Sequence, residues 1–152
     1  MFRGFHTVNI DDKGRMAIPS RYRQRLTAEA DGCLVQTLNP LDRSLWIYPL
    51  NNWEQIEAKL AALSEFDIRS RRTKQMMRGY ACDCQLDSQG RVLIPSELRE
   101  YARLQKQVVI LGQGNKFEVW DQSTWEQERD LWLSQVDEGG GEFSDALKSL
   151  SL

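Results

Sequence analysis

Histidine is almost absent from this chain: His6 is the only one in 152 residues. Cysteine is scarce as well. Cys33, Cys82 and Cys84 are an odd number, and their spacing forms no disulfide framework. A structural zinc site wants four nitrogen or sulfur ligands, so Cys82-x-Cys84 reads as two half-buried residues on one face of a strand, where alternate residues point the same way. His6 reads as a strand residue rather than a general base. No pairing of nucleophile and base is complete, Asp11-Asp12 falls in a turn, where Asp is common, and the glycines at 139–141 lack the Lys-Ser/Thr that a phosphate loop needs. The chain is therefore read as a non-enzyme, with no cofactor, no metal and no small-molecule substrate. Long apolar runs are missing too. Nothing approaches the roughly eighteen residues of a membrane helix, and Met1-Phe2-Arg3-Gly4-Phe5-His6 lacks the apolar run of a secretory signal. A cytoplasmic protein without a membrane partner is the expectation.

Net positive charge is the last absence. The formal charge is −2, whereas nucleic-acid-binding domains are usually basic. The average hides a gradient. Residues 3–25 carry Arg3, Lys13, Arg15, Arg21, Arg23 and Arg25 against Asp11 and Asp12, six against two, a net of +4. Residues 137–152 carry Asp137, Glu138, Glu142 and Asp145 against Lys148, a net of −3. Hydrophobic residues make up 41% of the chain, enough for one packed domain or two very small ones sharing a core.

What the chain does have is a repeat, the feature to seek first. Ile10-Asp11-Asp12-Lys13-Gly14-Arg15-Met16-Ala17-Ile18-Pro19-Ser20 returns 76 residues later as Leu86-Asp87-Ser88-Gln89-Gly90-Arg91-Val92-Leu93-Ile94-Pro95-Ser96. Asp, Gly, Arg, Ile, Pro and Ser keep their places. A second echo, Ile47 to Gln55 against Val119 to Gln127, has an offset of 72, so one loop differs by four residues.

Each copy reads alike. Residues 5–10 and 81–86 are expected strands, followed by a turn at Gly14 or Gly90 and second strands over 15–18 and 91–94. Proline then stops the ladder, and Ser20 or Ser96 stands where an N-cap would start a short helix. Tyr22 and Leu26 should face inward in one copy, Leu98 and Ala102 in the other. Strands over 33–38 and 44–48, and over 107–112 and 116–121, follow. In the first copy a closing helix carries Trp53, Ile56, Leu60 and Leu63 at helical spacing. Asn51 with Glu54, and Ser123 with Glu126, have capping-box spacing. The organisation expected is a unit over 5–52 with a helix at 53–63, a connector helix over 64–80 ended by Gly79, a second unit over 81–124 with a helix at 125–135, and a flexible acidic tail over 136–152. The basic residues of the connector, Arg69, Arg71, Arg72, Lys74 and Arg78, read as a solvated helix face.

Asp11 and Arg15, like Asp87 and Arg91, stand four apart. On a helix this would be an ion pair worth about 0.2–0.5 kcal/mol. Here strand-like flanks and a glycine before each arginine indicate a tight turn, with Gly14 and Gly90 at positive φ. The aspartate can bond turn N–H groups and restrain the arginine, whose planar fork suits guanine edges or phosphates. A simple salt bridge holding a hairpin is the competing reading.

These two Asp-x-x-x-Arg copies, with Phe2-Arg3-Gly4, Tyr48-Pro49-Leu50 and Phe117-Glu118-Val119-Trp120, resemble the MraZ family of the SpoVT–AbrB-like group over residues 1–135. The resemblance implies a mainly β fold with short helices (α+β): two tandem repeats whose hairpins interleave into a pseudo-twofold, swapped-hairpin β-barrel flanked by helices. It implies a ring-shaped homo-oligomer, cytoplasmic and nucleoid-associated, that binds double-stranded promoter DNA at repeated boxes and typically represses its own operon in the division and cell-wall gene cluster. The candidate DNA contacts are Arg15, Lys13, Arg3, Arg21, Arg23 and Arg91, with Asp11, Gly14, Asp87 and Gly90 structuring the loops. Gln89 replaces Lys13 in the second copy, and residues 79–103 carry three basic against four acidic residues, a net of −1. The first copy is therefore expected to supply most DNA contacts. Units of this kind also serve as antitoxins, so a protein-interaction module working through residues 141–147 is the alternative.

Overall fold

The computed structural model describes residues 1–141 and 143–151; Glu142 and Leu152, both in the stretch read as an acidic tail, lie outside the described residues. The chain divides into two units, Met1–Gln122 and Ser123–Leu152.

In the first unit the order is β1 (Phe5–Asn9), β2 (Arg15–Ala17), α1 (Ser20–Ala30), β3 (Cys33–Leu38), β4 (Leu45–Pro49), α2 (Leu50–Ala61), α3 (Ile68–Gly79), β5 (Cys82–Gln85), β6 (Arg91–Leu93), α4 (Ser96–Tyr101), β7 (Gln107–Gly112) and β8 (Phe117–Asp121). Six strands form one antiparallel sheet in the order β1-β7-β8-β4-β3-β5, and β2 pairs with β6 as a separate ribbon. The copies exchange strands. The first copy's β1 lies on the second copy's β7, with Thr7 opposite Val109. The second copy's β5 lies on the first copy's β3, with Cys84 opposite Leu34. The ribbon takes one strand from each and centres on Met16 opposite Val92. The expected barrel is not closed by hydrogen bonds among the described residues: β1 and β5 are the two edges of an open sheet, and the Ile10–Met16 bridge links the ribbon to the chain leaving β1.

The repeat explains the core. Met16 and Val92, Ile18 and Ile94, Tyr22 and Leu98, and Leu26 and Ala102 are equivalent pairs, and all eight are buried in one cluster. Full burial of an isoleucine contributes about 1.5–3 kcal/mol. Tyr22, Leu26 and Leu98 on the helices, and Ala102 just past the end of α4, face inward as their spacing indicates. A second cluster joins Val35, Leu38, Tyr48, Trp53, Leu60 and Met77, which places α2 and α3 against the sheet. β3 is buried on both faces, Leu34 in one cluster and Val35 in the other, so it shows no alternation.

Several helix ends differ from expectation. Pro19 and Pro95, not the serines after them, are the N-caps of α1 and α4, and no side chain caps either helix. Proline gives no N–H to a ladder and its φ is already near the helical value, so the switch from strand to helix falls on it. Pro49 does the same for α2, which puts Asn51 inside the helix rather than in a capping box. α2 ends at Ala61, leaving Leu63 beyond it and 38% exposed. In the connector, Asp67 caps α3 by accepting from the Ser70 N–H at 3.2 Å. Gly79 is the last helical residue and Tyr80 the C-cap, at φ −92. Its basic face is not wholly solvated: Lys74 is buried and bonded to the Leu63 carbonyl and the Glu65 carboxylate.

α5 (Gln122–Asp137) runs from the last residue of the first unit into the second; Ser123 is inside it, and none of its residues is buried. In the stretch read as a tail, α6 (Asp145–Lys148) is a short helix capped by Ser144.

Candidate nucleic-acid interface

The two Asp-x-x-x-Arg turns have the same construction. In the first, one oxygen of the Asp11 carboxylate accepts from the backbone N–H of Lys13 at 3.0 Å and of Arg15 at 2.9 Å. The other accepts from Arg15 Nε at 2.7 Å. In the second, Asp87 accepts from the N–H of Gln89 at 2.8 Å and of Arg91 at 2.9 Å, and from Arg91 Nε at 2.9 Å. Gly14 and Gly90 take φ of +86 and +73, values costly for any residue with a Cβ. The spacing now has a cause. The aspartate at the first position satisfies the turn's N–H groups, the glycine turns the chain, and the arginine arrives beside the same carboxylate. Hydrogen bonding to the charged form holds both carboxyls below their ordinary values, the backbone N–H of Arg15 or Arg91 being the largest cause. The clasp uses Nε, which leaves both terminal nitrogens of Arg15, and Nη2 of Arg91, for a ligand.

The ribbon brings the clasps together. Met16 and Val92 point into the core, so Arg15, Ala17, Arg91 and Leu93 point outward. Arg15 stands opposite Leu93, and Ala17 opposite Arg91. The two arginines are therefore diagonal neighbours about a pseudo-twofold through Met16 and Val92. Arg91 Nη1 lies 3.7 Å from Asp11, which couples the clasps.

Because the strands are antiparallel and exchanged, each end of the ribbon mixes the copies. The Gly14 carbonyl accepts from Ile94 N–H at 2.9 Å, and the Gly90 carbonyl from Ile18 N–H at 3.0 Å. One end carries Lys13, Arg15 and Leu93. The other carries Gln89, Arg91 and Ala17.

A further cation covers each turn from the other copy. Arg23 on α1 bonds the Gln89 carbonyl at 3.3 Å and overlies Gly90, where a Cβ would come within 2.2 Å of its Cδ. Arg99 on α4 bonds the Ile94 carbonyl at 3.0 Å and overlies Gly14, 3.0 Å from the place of a Cβ. Sequence reasoning missed Arg99. The signal was present, since the 76-residue offset relates it to Arg23.

The remaining candidates lie elsewhere. Arg3 and Arg21 line a hollow of about 420 Å³ with Met1, Phe2, Tyr22 and Arg25. Arg25 is held by Glu29 at 3.1 Å and over the Phe2 ring at 5.1 Å. Successive helix residues turn by about 100°, so Arg21 and Arg25 share one flank of α1 and Arg23 the opposite one. The basic stretch 3–25 is thus not one patch. His6 packs edge-on against Tyr22. Cys84 accepts from Gln36 Nε2 at 3.2 Å, and burial pushes its thiol up to about 12, so it stays a neutral thiol rather than a nucleophile.

Fold and site together define a class: a duplicated α+β protein whose copies interlock to present two aspartate-clasped arginines on one exposed ribbon. A family model described as "MraZ protein, putative antitoxin-like" matches residues 1–76 and 77–131. The chain belongs to the MraZ family. It is similar along the full length of both chains to proteins named "Transcriptional regulator MraZ": 48% identical to that of Halorhodospira halophila, 49% to that of Thioalkalivibrio sulfidiphilus and 47% to that of Coxiella burnetii (strain Dugway 5J108-111).

Proposed function

We propose that this chain is a sequence-specific DNA-binding transcriptional regulator that reads DNA with the β2–β6 ribbon. One observation carries the reading: Arg15 and Arg91, each held by its own aspartate, face outward side by side on a single two-stranded ribbon. The major groove admits such a ribbon, and a bidentate arginine is the commonest specific contact to guanine. A restrained arginine also loses less rotamer freedom on binding. Lys13, Arg23 and Arg99, which stand at the two turns of the ribbon, serve as phosphate contacts that set the register. The relatives' shared name supports the regulatory role. The specific target is the chain's own promoter, in the division and cell-wall gene cluster, and the usual effect is repression in the cytoplasm, on the nucleoid.

The net charge of −2 makes one ribbon a weak binder. A homo-oligomeric ring repeating the ribbon compensates through effective concentration and accounts for repeated promoter boxes.

The test is a titration of the purified protein against a fragment from upstream of its own gene and a scrambled fragment, over a salt series, with Arg15→Ala in parallel. The expected result is preference for the promoter fragment, weakening as salt rises, and about a 5- to 150-fold loss in folded Arg15→Ala, as for one bidentate base contact. Equal affinity of both proteins would make the Asp11–Arg15 clasp purely structural.

A second reading rests on α5, which exposes Leu131, Trp132, Leu133 and Val136. Exposed apolar side chains of this kind suit a protein partner, as in an antitoxin-like module. Stoichiometric co-purification of a second protein, with no promoter binding at low salt, would favour it.

A further inference from the structure

The pseudo-twofold of the ribbon is broken at one outward position. Where the first copy has Ala17, the second has Leu93. Leu93 is 55% exposed and stands directly opposite Arg15. Single exposed leucines are ordinary on protein surfaces. This one is placed among the few side chains that the ribbon turns outward, the others being Arg15, Arg91 and Ala17. It also lies at the end that carries Lys13. That end holds a cation for a phosphate, a clasped arginine for a base edge, and a branched apolar side chain beside it. The opposite end holds a glutamine, a clasped arginine and a methyl group.

We infer that Leu93 is a specificity-determining residue, which meets the 5-methyl group of a thymine next to the base pair contacted by Arg15 and so gives the ribbon one polarity on its site. This rests on the DNA-binding reading above and deepens it. Cross-strand neighbours have Cβ atoms about 4.5–5.5 Å apart, and base pairs are stacked about 3.4 Å apart, so opposed side chains fall on adjacent steps. The thymine methyl is the one apolar group that distinguishes a base pair in the major groove. Ala17 at the other end is too short to make the same contact while Arg91 makes its own, so the two half-sites are read differently although the backbone treats them alike.

The probe is the promoter fragment with thymine replaced by uracil at single positions, which removes only the 5-methyl group. The full-length protein is compared with Leu93→Ala and with Ala17→Leu, each checked for an unchanged circular dichroism spectrum. The expected result has three parts. Uracil at one position, in one half of the site, weakens wild-type binding by about four-fold, the transfer cost of one methyl-sized group. Leu93→Ala weakens binding to the thymine fragment by a similar factor and no longer distinguishes uracil there. Ala17→Leu gains methyl sensitivity in the other half. A Leu93→Ala protein that still discriminates thymine from uracil as the wild type does, or a wild type indifferent to uracil at every position, overturns the inference while promoter binding and its dependence on Arg15 stand. Loss of promoter preference in the wild type itself overturns the DNA-binding reading, and this inference with it.

Discussion

The two ends of the ribbon share a backbone and differ in what they offer a ligand. Of the six residues identical between the copies, five have a geometric task. The aspartates bond the turn, the glycines take positive φ, the arginines close the clasp, the isoleucines are buried, and the prolines launch the helices. Only Ser20 and Ser96, exposed first residues of their helices, have no such task in the structure. Five positions differ: Asp12 against Ser88, Lys13 against Gln89 and Ala17 against Leu93 are exposed, whereas Ile10 against Leu86 and Met16 against Val92 exchange one apolar side chain for another at the core. Duplication kept the scaffold and released its surface. The shared arginines belong to both categories, so their presence in both copies does not show that both bind.

The strongest way to break this comparison is charge reversal at each arginine. On the proposed reading, Arg15→Glu lowers promoter affinity by about 100-fold or more and Arg91→Glu by about ten-fold, since each 1.4 kcal/mol is a factor of ten and a bidentate base contact is worth about 1–3 kcal/mol. Lys13 and Leu93 beside Arg15 are what make the first loss larger. Fluorescence anisotropy on both folded variants measures it. Equal losses would make the ribbon a symmetric reader, and the difference between its ends would then carry no function.

A smaller effect tests the scaffold. Gly14→Ala and Gly90→Ala each force a Cβ into the left-handed region, at about 1–2 kcal/mol. Gly90→Ala should cost about 0.5–1.5 kcal/mol more, because the added methyl displaces Arg23 and breaks its bond to the Gln89 carbonyl. Arg99 lies farther from the corresponding site over Gly14. Denaturant midpoints measure both, and an Arg23→Ala background should abolish the surplus. If the two glycine variants are equally destabilised, the covering arginines are not part of the turns.

Much of this arrangement is legible in the repeat. The turns, the strands around them, the buried Tyr22, Leu26, Leu98 and Ala102, and the positive φ of both glycines follow from spacing and residue chemistry. Arg99 was legible through its offset from Arg23. So was the separation of Arg21 from Arg23, through the turn of a helix. The strand exchange was not legible from the residues alone. Alternation says which face of a strand is buried but not which strand lies beside it, and β3 carries no alternation at all. The burial of Lys74 depends on Glu65 and the Leu63 carbonyl, contacts made by the loop before α3. The helix starts were misread because serine and asparagine are the usual N-caps, whereas here proline ends a strand and opens a helix in one residue.

The smallest effect concerns the clasps themselves. Asp11 and Asp87 are both held below the ordinary carboxyl value of 3.8. A depressed carboxyl contributes stability that is present above its unfolded value and lost as pH falls through the folded one. The clasps should therefore loosen only in acid below that ordinary range and be intact at neutral pH. Both side chains are about a third exposed, at 35% and 36%, so solvent keeps the stability effect small, and carboxyl titration by NMR is the sharper measurement. For Asp11 the largest cause is the backbone N–H of Arg15, ahead of its guanidinium. Arg15→Ala keeps that N–H, so Asp11 should rise only part of the way towards its ordinary value while Asp87 stays unchanged. A full return to the ordinary value in Arg15→Ala would mean that the guanidinium, not the turn, sets the charge of the carboxylate. The arginine would then be needed to hold the aspartate, rather than the aspartate to aim the arginine.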